Sequence, residues 1–185
     1  MFGAVNDGGP CIALSDSNST KENPWSMNAY SNMLYVDQPS QTGFSYSVLL
    51  NSTFDILHDE ITPFEAYNGS VPQQNTTVLY GTLPSQSPAK TANNSLYAAK
   101  TLWHFSQVWF ADFPEYRTSD KRINIWGNSY GGFWVTVTAD YFQKQNDKIK
   151  SGKLQGASVL PVDTIGFTNG FVDLLYQGEF YPEYA

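Results

Sequence analysis

The residue best placed for chemistry is Ser129, in Gly127-Asn128-Ser129-Tyr130-Gly131. This G-x-S-x-G spacing is that of a nucleophile elbow, a strained strand-to-helix turn that lifts a serine hydroxyl above a sheet edge. Positions two before and two after the serine must be small, because strand and helix backbones nearly touch there. The backbone N–H of Tyr130 would point at an oxyanion developing on an attacked carbonyl. Such a turn supports acyl transfer through a serine ester. The bland alternative is a Gly-rich turn with an exposed serine. A serine needs a base, and the chain holds two histidines, His58 and His104. His58, beside Asp59 and Glu60 in a polar stretch, is expected to be solvated surface. His104, in an apolar helical stretch, is expected to be a core histidine. Both precede the serine, whereas in this type of site an acid and then a histidine follow it. Asp140, Asp147, Asp163 and Asp173 follow Ser129, but no histidine does.

The elements that would position the serine can be read around it. Ile123, Ile125 and Trp126 form a short apolar run of strand type. Phe133 to about Gln145 carries no Gly or Pro and predicts a helix. Upstream, Asn32 to Asp37 is an apolar run of strand length ended by Gln38-Pro39, and suits a strand covered on both faces. Residues 51–88 read as a polar insertion, a surface excursion or lid, too long for a simple connection. Ser87-Pro88 predicts a helix start. That helix would stop before Pro114 and be buried nearly all round in its second half. Ser158 to Leu160 and Thr164 to Phe167 are short strand candidates, and Thr168 to Asp173 is a turn around Asn-Gly. Strand, helix, strand-elbow-helix, strand is an alternating α/β pattern. The expected fold is therefore α/β, a partial α/β-hydrolase sheet with flanking helices in one domain over residues 1–185.

Composition narrows the partners. The 185 residues are 41% hydrophobic and 16% aromatic, enough for a folded core. A net charge of -7 and a pI near 4.6 argue against nucleic acid. No apolar run is long enough to span a membrane. No Cys/His cluster, calcium loop or phosphate-binding loop is present, so no metal or cofactor is expected; Asp16, with Asn and Ser nearby, lacks the glycine and terminal glutamate of a calcium loop. Five Asn-x-Ser/Thr sequons, at Asn18, Asn51, Asn68, Asn75 and Asn93, suit a glycosylated, secreted protein. The N-terminus lacks a leader's basic and apolar regions, so the sequence is expected to be missing its true start. The lone Cys11 is either a small buried thiol or has its disulfide partner outside this chain.

Several blocks together carry a resemblance. Asn32-Met33-Leu34-Tyr35-Val36-Asp37-Gln38-Pro39 and Thr42-Gly43-Phe44-Ser45-Tyr46-Ser47 resemble the N-hydrophobic-D-Q-P-x-G-x-G-F-S-Y-S block of serine carboxypeptidases. Phe113-Pro114-Glu115-Tyr116 resembles the F-P-E-Y that closes the helix before the elbow. Gly127 to Gly132 resembles G-E-S-Y-A/G-G, Gly166 to Asp173 resembles G-x-x-N-G-x-x-D, and Asp7-Gly8-Gly9-Pro10 resembles E-N-G-P, with the cysteine that follows as in fungal members.

The resemblance implies an internal part of a serine-type carboxypeptidase, cut at both ends. The complete protein would be secreted or vacuolar, would need no cofactor, and would act on peptide or protein C-termini. Ser129 matches the nucleophile and the Tyr130 amide one oxyanion donor. Asp7 and Asn128 match two positions where the family usually has glutamates that share protons and bind the substrate's C-terminal carboxylate. Here one acid is shorter and the other is an amide. The family's upstream N-G-G-P-G segment, its Asp and its His have no counterpart in this chain. The chain alone is therefore not expected to hydrolyse peptides at a useful rate. Two alternatives are the same scaffold used as an acyltransferase or lyase, and a non-catalytic secreted binding homologue.

Overall fold

The structure is a computed structural model that describes residues 8–64, 74–113, 115–116 and 118–184. Asp7 and the Asn68 sequon lie outside the described residues. The chain divides into two compact units, residues 1–91 and 92–185, where the sequence suggested one domain.

In the first unit, β1 (Cys11–Ala13) and β2 (Thr20–Glu22) form an antiparallel hairpin, with Cys11 opposite Glu22. Its turn is held by Asp16, whose carboxylate accepts from the Asn18 and Ser19 amides and the Ser19 hydroxyl. The Ser19 hydroxyl and these amides hold the Asp16 carboxyl below its usual range.

Residues 32–37, expected as a strand, have no regular structure. A strand is defined by backbone pairing, and this run has no ladder partner among the described residues. Its apolar side chains still alternate: Met33 and Tyr35 are half-buried, while Leu34 and Val36 are exposed. Just beyond it, the Asp37 carboxylate accepts the Phe44 N–H at 2.8 Å, tying the two ends of the D-Q-P…G-F-S-Y-S block together.

Where residues 51–88 read as a polar insertion, residues 49–84 contain an antiparallel sheet in the order β4-β3-β5. The strands are β3 (Leu49–Asp55), β4 (Glu60–Pro63) and β5 (Val78–Pro84). Register sorts side chains by face, because successive residues point to opposite sides. Ser52, fully buried, shares one face with Leu50, Phe54, Ile61, Leu79 and Leu83. Asn51 and Thr53 share the other with Thr62, Tyr80 and Thr82.

The second unit holds the elbow. Its first helix, α1 (Ser95–Asp112), starts later than Ser87-Pro88 suggested. That dipeptide begins only a 3-10 turn, Pro88–Lys90, and its serine side chain caps nothing. Asn94 is the cap instead, its side chain accepting the Tyr97 N–H at 2.9 Å. The second half of α1 is not buried all round: Trp103 and Ser106 are buried, but Val108 is 60% exposed. His104 is exposed, against a Trp103 ring 5.0 Å away, and is not a core histidine.

Next come β6 (Ile123–Asn128), α2 (Gly131–Lys150) and β7 (Val162–Thr168), with β6 and β7 paired in parallel. Alternation on β6 half-buries Ile123, Ile125 and Gly127, while Asn124, Trp126 and Asn128 are exposed. The helix α2 packs on α1 and on both strands. The core beneath is Trp103, Phe142 and Leu160, ringed by Leu102, Tyr141, Ile149 and Val162 among others.

Ser158 to Leu160 do not form the expected strand. Two side-chain amides take the backbone groups that a neighbouring strand would have used. Gln107 bonds both the Ser158 N–H and C=O at 2.8 Å. Asn146, 2% exposed, bonds the Leu160 N–H at 2.9 Å and C=O at 2.7 Å. Beyond β7, α3 (Leu174–Gln177) is capped by Asp173, and α4 (Tyr181–Tyr184) follows a 3-10 turn. No helix among the described residues is long and apolar enough to cross a membrane.

Candidate active site

Ser129 stands between the end of β6 and the start of α2 with φ 55°, the left-handed region that a residue with a Cβ rarely adopts. Three backbone hydrogen bonds hold it there. Its N–H donates to Thr168 O at 3.0 Å, and its carbonyl accepts from Gly132 N–H at 3.0 Å and Phe171 N–H at 2.7 Å. The side chain is exposed. Among the described residues the hydroxyl makes no hydrogen bond.

Close packing explains Gly127 and Gly132 but not Gly131, the position two after the serine, where a Cβ would meet nothing within 4 Å. A Cβ at Gly127 would lie 2.8 Å from Gly131 Cα and 2.9 Å from Val135 Cγ2, so strand and helix meet there with no room for a side chain. A Cβ at Gly132 would overlap the Phe171 backbone, which itself donates to Ser129. Tyr130 precedes the first turn of α2, where helix amides have no intrahelical acceptor. Its N–H is thus a donor next to the serine, at the positive end of a 20-residue helix. The Tyr130 ring packs against Phe133 and Trp134, both at 5.0 Å, and Phe133 meets Phe171 at 5.3 Å. The serine thus sits beside an aromatic wall drawn from α2 and the 168–171 turn.

Asn128 is the last residue of β6, exposed and opposite Thr168. Asp7, its counterpart in the sequence reading, lies outside the described residues. The other downstream acids have local work. Asp140 pairs with Lys144 at 2.7 Å, and Asp147 accepts from Gln143 at 3.1 Å. Asp163 lies 3.5 Å from Arg122, which also grips Asp120 and holds that carboxyl down at about 2. Asp173 accepts the Leu175 and Tyr176 amides as a helix cap. His58 bonds Asp55 in the first unit and is solvated, as expected. The Asn18, Asn51, Asn75 and Asn93 side chains are exposed, and Cys11 is a half-buried free thiol. Among the described residues no group of three His, Cys, Asp or Glu could hold a metal.

The sequence left the work of the 166–173 block unassigned. Thr168 and Phe171 clamp the serine backbone. Gln177 then fixes that turn, donating to Gly170 O and accepting from the Val172 and Asp173 amides. The signal was the Asn-Gly turn itself, where Asn169 takes φ 48°.

Comparison with known proteins accords with this geometry. Residues 1–185 match the family described as serine carboxypeptidase. Carboxypeptidase S1 homolog A of Arthroderma otae is 48% identical over 188 residues, covering 100% of this chain and 29% of its own length. A carboxypeptidase Y homolog of Arthroderma benhamiae is 45% identical over 180 residues, covering 96% of this chain and 28% of its own. Carboxypeptidase S1 of Penicillium janthinellum is 28% identical over 185 residues, covering 100% of this chain and 33% of its own. The chain thus spans about 30% of the length of these curated relatives. With one family matched from end to end, and the serine elbow formed within it, the chain belongs to the serine carboxypeptidase family.

Proposed function

We propose that the whole protein is a serine-type carboxypeptidase, a hydrolase that releases C-terminal residues from peptides and proteins. The observation that carries this reading is the left-handed Ser129, clamped between a strand and a helix N-terminus in a chain of this family. Ser129 Oγ attacks the last peptide carbonyl as a base takes its proton, and the Tyr130 N–H stabilises the oxyanion. The C–N bond then breaks, the amine of the terminal residue leaves with that proton, and water hydrolyses the serine ester. The acid and histidine that activate the serine lie outside these 185 residues on this reading, so the chain by itself is inactive. Asn128, with Asp7, binds the substrate's terminal carboxylate.

On the same reading the two units belong to one α/β-hydrolase domain, and the protein is secreted or vacuolar. Five sequons support that location. Cys11 then pairs with a cysteine elsewhere in the protein.

The test is made on the full-length protein. A fluorophosphonate probe is expected to label Ser129 and not a Ser129→Ala variant. Peptides with a free C-terminus should be shortened, and their C-terminal amides should not. Absence of labelling would leave a secreted binding homologue, a reading that Asp7 and Asn128 favour as departures from the family's glutamates. Labelling with acyl transfer to an added acceptor, and no release of terminal residues, would instead indicate an acyltransferase.

A further inference from the structure

Two of the bonds that fix the Ser129 backbone come from one short segment, Thr168 to Phe171. Whatever holds that segment also holds the serine. The parallel ladder between β6 and β7 ends at the pair Asn128 and Thr168. One further link crosses at this end: the Trp126 indole Nε1–H donates to Thr168 Oγ1 at 3.0 Å. Register places Trp126 opposite Gly166, and a Cβ at Gly166 would overlap the Trp126 ring. A glycine at this point is what lets the indole lie across β7 and reach Thr168.

The link belongs to neither ladder nor core. Trp126 is 55% exposed and absent from the buried cluster. Its one polar atom is spent on the residue whose carbonyl receives the Ser129 N–H. We infer that Trp126 is a positioning residue for the nucleophile, acting through Thr168. For its kinetic consequence this rests on the carboxypeptidase reading; for its geometry it does not. Losing one hydrogen bond of this kind corresponds to about a 5-fold effect.

The experiment uses the full-length protein and four variants. Thr168→Val removes the hydroxyl at nearly constant volume, and Thr168→Ser keeps it. Trp126→Phe removes the N–H but keeps a ring, and Gly166→Ala displaces the ring. Fluorophosphonate labelling of Ser129 and kcat for a peptide should fall about 5-fold in Thr168→Val, Trp126→Phe and Gly166→Ala, with KM unchanged. Thr168→Ser should behave as wild type. The Trp126→Phe/Thr168→Val double variant should fall no further than either single change, because both remove the same bond. Amide hydrogen exchange at Ser129 and Phe171 should quicken in the same variants and not in Thr168→Ser. Wild-type rates and exchange in Thr168→Val, or multiplicative losses in the double variant, would overturn the inference. If the wild type is not labelled at all, the carboxypeptidase reading fails, and amide exchange alone decides the role of Trp126.

Discussion

At Ser129 a left-handed backbone costs about 1–3 kcal/mol for a residue with a Cβ. Three backbone hydrogen bonds from Thr168, Gly132 and Phe171 hold it against that cost. This was legible in the sequence because everything the turn needs is local: glycines at fixed offsets, an apolar run before and an unbroken helix after. The clamp from 168–171 was not, since nothing in a linear pattern says which amide a serine carbonyl will meet 42 residues later. The neighbouring Asn128 carries a prediction of its own. A carboxylic acid donates to a carboxylate only while protonated, whereas an amide donates at every pH. In the full-length protein KM is therefore expected to rise less between pH 5 and 7 than in relatives with two glutamates. Asn128→Glu should restore the steeper profile, and a wild-type profile already as steep would refute this role.

At the scale of elements, side-chain amides replace strand pairing beside the core. Asn146 satisfies both backbone groups of Leu160 from a buried position. Asn146→Ala should destabilise the fold by roughly 1–3 kcal/mol, measured by denaturant unfolding, because it strands the buried Leu160 N–H, while the Leu160 carbonyl keeps the Val162 N–H at 2.9 Å. A loss under about 1 kcal/mol would mean that water substitutes freely. Ser158 to Leu160 looked like a strand in sequence because a short apolar run does not say what its backbone pairs with; only Leu160 of the three is buried. The converse error hid the 49–84 sheet, whose Asn, Ser, Thr and Pro residues resemble loop although their alternation is of strand type.

The hairpin between β3 and β4 adds a pH effect. The hydrogen bond that the His58 ring donates to the Asp55 carboxylate raises the His58 pKa above its usual 6.5, and the same bond lowers Asp55 below 3.8. The raised histidine stabilises fully below its unfolded value and loses that effect as pH climbs through the raised one. The lowered aspartate stabilises above its unfolded value and loses that effect as pH falls through the lowered one. Amides of 55–61 should therefore be best protected from exchange between about pH 4 and 6.5. His58→Ala should flatten the profile, and an unaltered profile would count against the pair.

For the molecule as a whole, charge and sequons pointed to a secretory protein, while the family match carries the α/β-hydrolase expectation further than two small units can. The described sequons at Asn18, Asn51, Asn75 and Asn93 are exposed and able to carry glycans. The full-length protein from a eukaryotic host should lose mass at these sites on glycosidase treatment, and peptide mapping that finds them all bare would contradict secretion. Asn51 gives this a consequence for how the chain avoids error. It faces Thr82 in the middle of β3, opposite to the face of the buried Ser52. A strand that slips by one residue turns every side chain to the other face. Once a glycan is attached at Asn51, that slip would drive a sugar into the apolar side of the sheet. On the secreted reading, misregistered copies would then be left open, and only the correct pairing could close.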